Sequence, residues 1–218
     1  MDVSMDPMHS DSCFDREKKN LRCDSCRFNR WSSEWEELED GKVRGHVGRR
    51  IIGSIVLPLT NYAGHAVGFQ VRSTIKKSYD TFILKRHPEG FFFGLGPNME
   101  SIWRTSEIWL VEGPIDSLIL ERLIAPNVAA LATSSVNPLQ VRFLRRFVTR
   151  VNLLLDADKA GRDGVKSFIH QHGHYFDVRD VRCPVLRPGD KDLGDLWKAV
   201  GDDGVRRHMN KSVGESRI

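Results

Sequence analysis

Residues 106–200 alternate between short apolar runs and amphipathic stretches, and this constrains the fold more than any other feature of the chain. "EIWLV" (107–111) reads as a strand, and "PIDSLILERLI" (114–124) as a helix with proline at its start, where the absent N–H has no partner to lose. "VAALA" (128–132) reads as a short strand. Residues 138–149 read as a helix with divided faces: Val141, Phe143, Leu144, Phe147 and Val148 share one arc, and Arg142, Arg145 and Arg146 the other. "RVNLLLD", "AGRDGVKSFIHQH", "FDVRDVRC" and "LGDLWKAV" continue as strand, helix, strand and helix. This pattern predicts a mostly parallel sheet covered by helices on both faces.

The preceding block differs. "IIGSIVL" (51–57) and "AVGFQVR" (66–72) read as strands around the turn-like "TNYAGH", and residues 81–93 as further strand with "PEG" as a turn. The expected organisation is therefore an N-terminal tail (1–40), a small basic α+β subdomain (41–105), an α/β domain (106–200) and a C-terminal tail (201–218). Charge follows these divisions. Residues 1–40 carry a net −5, residues 41–105 a net +7, residues 106–200 +1 and the last 18 residues +1. A basic middle block points to a polyanionic partner, although a solvated surface has the same composition. Hydrophobic residues make up 40% of the chain, no apolar run approaches the ~20 residues of a membrane span, and the start is polar. The four cysteines, Cys13, Cys23, Cys26 and Cys183, are too few and too uneven for a secreted disulfide framework. The expectation is a cytoplasmic protein with no membrane partner.

In a parallel α/β sheet, ligands gather beyond the carboxyl ends of the strands. Acidic residues fall at three such places. Glu112 follows "IWLV", with Asp116 about one helical turn later; Asp156 and Asp158 follow "VNLLL"; Asp190, Asp192 and Asp195 lie in "PGDKDLGDLW". A lone Asp-x-Asp is usually a cap or loop pair. Three acidic groups in order, each after an apolar strand, repel one another unless a cation holds them. Hard oxygen ligands suit Mg²⁺ or Mn²⁺.

These stretches resemble the three motifs of the Toprim domain, in the form found in DnaG-type bacterial and phage primases. "LVEGPIDSL" is similar to the Glu-Gly-x-x-Asp motif, "LLLDADKAGRDG" to the Asp-x-Asp motif with its downstream Ala-Gly, and "PGDKDLGDLW" to the Lys-Asp-rich third motif. The similarity continues upstream through "GRRIIGSIVLPLTNYAGHAVGFQVR", "FFFGLG" and "ALATSSVNPLQVRFL", so that residues 48–198 are covered.

The resemblance implies an α/β fold: a Toprim domain preceded by the small basic α+β subdomain. It implies a primase-type nucleotidyl transferase that makes short RNA primers on a single-stranded DNA template from ribonucleoside triphosphates, with a replicative helicase as partner. Glu112, Asp156 and Asp158 would be catalytic. Glu112, Asp116, Asp156, Asp158 and Asp192 would hold two Mg²⁺ or Mn²⁺ ions. A Toprim nuclease and a non-catalytic nucleic-acid-binding accessory are the alternatives. Gly68-Phe69-x-x-Arg72 matches a stretch ending in a template-facing arginine, and Lys76, Lys77, Lys85 and Arg86 are further backbone-contact candidates.

There are departures. Gly194 stands where the third motif usually has a second acid, with Asp190 and Asp195 as candidate substitutes. A DnaG-type primase starts with a zinc ribbon. Cys23 and Cys26 have the spacing of one knuckle, and His9 and Cys13 would complete it. Either these four residues bind zinc or they are a degenerate half-ribbon. Cys183 reads as a buried thiol, "HQHGH" (170–174) as an ordinary helix end, and the "GLG" at 94–96 as a weak likeness of a phosphate loop.

Overall fold

The computed structural model describes residues 54–75, 79–83, 91–132 and 136–215, together with the backbone of four short strands nearer the N-terminus. Those four form two antiparallel pairs: β1 (Phe14–Asp15) with β2 (Asn20–Leu21), and β3 (Trp35–Glu37) with β4 (Val43–Gly45). The zinc candidates His9, Cys13, Cys23 and Cys26 lie outside the described residues, as do Lys76, Lys77, Lys85 and Arg86. Two compact units are present, residues 1–56 with 71–80, and residues 57–70 with 81–218. Within the first, the Arg72 guanidinium lies over the Tyr79 ring, 5.3 Å from its centroid.

Eight strands form one sheet: β5 (Ser54–Thr60), β6 (Ala66–Ser73), β7 (Tyr79–Ile83), β8 (Phe92–Phe93), β9 (Glu107–Val111), β10 (Val128–Ala130), β11 (Arg150–Leu154) and β12 (Asp177–Asp180). Their spatial order is β12-β11-β9-β10-β8-β5-β6-β7. The first four are mutually parallel, and β8 joins them antiparallel through β10. The helices are α1 (Leu95–Thr105), α2 (Pro114–Leu123), α3 (Pro138–Leu144), α4 (Lys159–His172) and α5 (Leu193–Glu215).

Strands β9, β10 and β11 are buried on both faces, which accounts for their largely apolar sequence, while the edge strand β12 buries only Val178. Ile108 and Leu110 of β9, Ala129 of β10 and Val151 and Leu153 of β11 enter one core with Leu95, Met99 and Ile102 of α1, Val141, Phe143 and Leu144 of α3, and Val165 and Phe168 of α4. Trp109, Val111, Val128, Ala130 and Leu154 face the other way, against Leu120 and Leu123 of α2 and Leu193, Leu196, Val205 and Met209 of α5. Period-two alternation along each strand thus feeds two helical layers.

Two expectations need correction. Helix α3 ends at Leu144, not near residue 149, and residues 145–147 form a turn. The expected burial survives this early stop: Phe143, Leu144 and Val148 are buried, while Arg142, Arg145 and Arg146 are exposed. The helix start is firmly set by a capping box, in which the Asn137 side chain accepts from the Gln140 N–H and Gln140 Oε1 accepts from the Asn137 N–H. Second, residues 201–215 are not a tail. The last helix kinks at Gly201 (φ 64°) and continues to Glu215, burying Val205 and Met209. Among the described residues no helix is long and apolar enough to cross a membrane.

The glycines at 94 and 96 serve packing. Gly94 caps α1 at φ 80°, in the left-handed region that favours glycine. Gly96 lets the helix start approach the β5–β6 turn: a Cβ there would meet the Gly64 Cα at 2.7 Å and the Asn61 carbonyl oxygen at 2.9 Å, while its N–H donates to Thr60 Oγ1 at 3.2 Å. Gly96→Val should therefore destabilise the chain by about 1–3 kcal/mol through overpacking. Thermal melts should show a lower Tm by roughly 2–4 °C per kcal/mol.

Candidate active site

Chain connections concentrate the acids. From β9 the chain passes through α2 to β10 on one side, and from β11 it passes through α4 to β12 on the other. The crevice between the carboxyl ends of β9 and β11 is thus a topological switch point, the place where open α/β sheets bind ligands. Val111 pairs with Leu154 there, so Glu112 and Asp156 emerge side by side from adjacent strands. The Glu112 carbonyl accepts from the Ala132 N–H at 3.2 Å, which ties the residue to the end of β10.

Asp158 is the N-cap of α4, its Oδ1 accepting from the Gly161 N–H at 3.0 Å. The first turn of that helix lies very close to the strand end: a Cβ on residue 161 would come within 2.0 Å of the Asp156 carbonyl oxygen. This explains why a glycine follows the acid pair at that distance. Asp192 caps α5, its Oδ1 accepting from the Asp195 N–H at 2.7 Å. Asp116, in the first turn of α2, accepts from the Gly194 N–H at 2.9 Å through Oδ1. All three motifs therefore meet at one edge of the sheet through helix starts and backbone donors.

Sequence reasoning missed Lys191. Its ammonium donates to Asp156 Oδ2 at 2.5 Å and to Asp158 Oδ2 at 3.2 Å. Its carbonyl accepts from the Ala157 N–H at 2.7 Å, and Ala157 stands between the two aspartates. The lysine was visible in the third motif, but a lysine among aspartates in a loop usually belongs to a solvated face. Of the two acids expected to replace one at position 194, Asp190 closes its own turn onto the Arg187 N–H at 3.1 Å. Asp195 accepts from the Lys191 N–H at 3.4 Å and from the Lys198 ammonium at 3.2 Å. In place of an acid side chain, position 194 offers a backbone N–H to Asp116.

The electrostatics separate the acids. Burial raises the Glu112 pKa, and Asp156 raises it further against the opposing pull of Lys191. Burial also raises Asp156 and outweighs its bond to Lys191. Asp158 is lowered, first by the Gly161 N–H and then by Lys191, as expected for a capping carboxylate. Lys191 is raised chiefly by its hydrogen bond to Asp156. Cys183 lies beside this cluster as a buried thiol, pushed up to about 12 by burial and then by Asp116, Asp192, Asp156 and Asp195.

The donor set consists of hard carboxylate oxygens, with Glu112 and Asp156 raised first by burial and then by neighbouring acids, which fits a hard divalent cation. Among the described residues, no three His, Cys, Asp or Glu side chains converge as a ready-made cage. The cation that holds Asp156 and Asp158 in this structure is Lys191. His172 meets Phe168 edge-on, with ring centroids 5.3 Å apart, and the histidine-rich helix end makes no metal cluster among the described residues.

Residues 109–197 match the family model described as Toprim-like, Toprim_2. The chain is 27% identical over 165 residues to a DNA primase of Aquifex aeolicus, covering 72% of this chain and 32% of that protein. It is similar in structure to the zinc-binding and RNA polymerase domains of the Aquifex aeolicus primase, with a TM-score of 0.61, 26% identity and coverage of 85% of this chain and 45% of that one. It also shares its fold with a DnaG primase catalytic domain bound to single-stranded DNA, with a TM-score of 0.60, 18% identity and coverage of 84% and 60%. The chain carries a Toprim-like domain and resembles DnaG-type primase catalytic cores, spanning about a third of the length of the curated primase it matches.

Opposite pKa shifts predict opposite effects on stability. A raised Glu112 favours the fold below the ordinary glutamate pKa, and that contribution is lost as pH rises through its raised value. In metal-free buffer, Glu112→Gln should melt above the parent at pH 8, with the gap closing below pH ~4. The lowered Asp158 contributes above the ordinary aspartate pKa and loses that contribution as pH falls. Asp158→Ala, which also deletes the cap, should melt below the parent at pH 8 by about 1 kcal/mol of stability. Calorimetric melts of both variants at the two pH values check the signs.

Proposed function

We propose that this chain is the catalytic core of a primase-type nucleotidyl transferase, joining ribonucleotides into a short RNA primer on single-stranded DNA. The observation that carries the reading is the meeting of Glu112, Asp116, Asp156, Asp158 and Asp192 at the switch point of a Toprim-like sheet. Similarity to primase cores, one of them bound to single-stranded DNA, supports it.

In this reading Glu112, Asp156, Asp158, Asp116 and Asp192 hold Mg²⁺ or Mn²⁺, two ions in all. The metal would supply charge stabilisation for the triphosphate and a lowered pKa for the attacking hydroxyl. Glu112, raised toward neutrality by burial, is the chain's own candidate to exchange a proton at its carboxylate. Asp158 and Asp192 gain orientation from capping their helices, which ties each carboxylate to a fixed backbone. The Gly194 N–H fixes Asp116 in the same way. The template would lie on the basic block, with Arg72 among its contacts and Lys76, Lys77, Lys85 and Arg86 beside it. A helicase partner, and zinc held by His9, Cys13, Cys23 and Cys26, belong to the same proposal.

Extension of a labelled ribonucleotide on a single-stranded template tests the activity. Glu112→Gln, Asp156→Asn and Asp158→Asn should each lower it by about a hundredfold or more. Loss of template strand without ribonucleotide incorporation would move the reading to a Toprim nuclease. Binding with neither reaction would move it to an accessory protein.

Template affinity should fall steeply with salt as phosphate contacts release counterions. Arg72→Ala should reduce the log–log slope by about 0.7 and weaken binding alike across sequences. Fluorescence anisotropy over a salt series, with Arg145→Ala in parallel, measures both. A reduced slope for Arg145→Ala alone would place the strand on the exposed arginines beside α3.

A further inference from the structure

Lys191 is built into the acid pair at several points. Its ammonium donates to Asp156 Oδ2 and Asp158 Oδ2, at 2.5 and 3.2 Å. Its carbonyl holds the N–H of Ala157, and its own N–H reaches Asp195 Oδ2 at 3.4 Å. With Oδ1 on the Gly161 N–H and Oδ2 on Lys191, both oxygens of Asp158 are engaged. The lysine side chain is 38% exposed, against 11% for Asp156, so the lysine is the more exposed partner of the pair.

We propose that Lys191 is a tethered counter-cation of the Asp156–Asp158 pair, which a divalent metal must displace. The proposal rests on the reading of these aspartates as metal ligands. A single positive charge between the carboxylates keeps the loop after β11 from opening before metal arrives. A doubly charged ion at the same oxygens repels the ammonium at a few ångströms, and the two do not share the site. Lys191 therefore swings outward on metal binding. Because displacement costs part of the binding energy, the lysine sets the metal concentration at which the site fills.

Manganese titration of the full chain, followed by electron paramagnetic resonance, tests this with no need for activity. Lys191→Met should bind Mn²⁺ roughly tenfold more tightly than the parent, a coupling typical of two ligands competing for one site. Lys191→Arg, which keeps the charge, should stay within about threefold of the parent. Lys198→Met, which removes a cation paired only with the neighbouring Asp195, should also stay near the parent. Unchanged or weaker Mn²⁺ binding by Lys191→Met overturns the proposal and leaves the metal reading intact. Equal tightening in Lys191→Met and Lys198→Met overturns it in favour of a general charge effect. Absence of Mn²⁺ binding in every form overturns the proposal and the metal reading together.

The unmutated chain gives a second measurement that does not depend on any variant folding. Acetylation of Lys191 by an amine-reactive ester, read by mass spectrometry, should be slow in chelator and several-fold faster once Mg²⁺ saturates the site. A rate that does not respond to Mg²⁺ overturns the proposal.

Discussion

The parallel pairing of β9 with β11 is the constraint on which the site depends. Those strands leave the sheet in opposite directions, one through α2 and the other through α4, so neither of these two connections crosses the crevice between their ends. The register Val111↔Leu154 then sets Glu112 beside the loop that carries Asp156 and Asp158. A slip of one residue would send Val111 and Leu154 into the wrong helical layer, because side chains alternate between the two cores. The same burial that stabilises the sheet thus fixes the spacing of the carboxylates.

Crowded carboxylates are tolerated because four of the five are tied to positive ends. Asp158 and Asp192 sit at helix starts, where unpaired N–H groups and the helix dipole favour negative charge. Asp116 takes a backbone N–H from the start of α5. Asp156 has the Lys191 ammonium. Glu112 shares the cluster while half-buried, and both it and Asp156 are raised as Asp158 is lowered. Environments that push neighbouring acids apart in pKa are typical of sites where one group exchanges protons and another stays charged. Burial, and after it the same negative field, shifts the Cys183 thiol upward, which favours the protonated form over the reactive thiolate.

Much of this was legible in the residues. The strand "EIWLV" occupies 107–111 as read, because a short apolar run buried on both faces shows in local composition and length. The motif helices start where Pro114 and Asp158 indicate, since capping is a local property. Legibility failed where the deciding contact is remote. Residues 201–218 read as a C-terminal tail, yet Val205 and Met209 fill the core under α2 and carry the helix onward. Helix α3 stops early, and Val148 completes its apolar arc from beyond the turn at 145–147. Lys191 escaped notice for the same reason: a bond across 35 residues leaves no periodic trace in the sequence.

Gly194 shows why a missing acid need not mean a missing function for the position. Glycine allows the chain to pass close to two carboxylates at once: a Cβ would lie 3.2 Å from Asp192 Oδ1 and 3.7 Å from Asp116 Oδ1. An acid there would add a third negative charge to that approach and, with its side chain, crowd the oxygens that the backbone N–H now orients. The neighbouring Asp195 supplies a carboxylate from one position further along, held by the Lys191 N–H and balanced by Lys198. At position 194 it is thus the backbone N–H, and not another side chain, that positions Asp116.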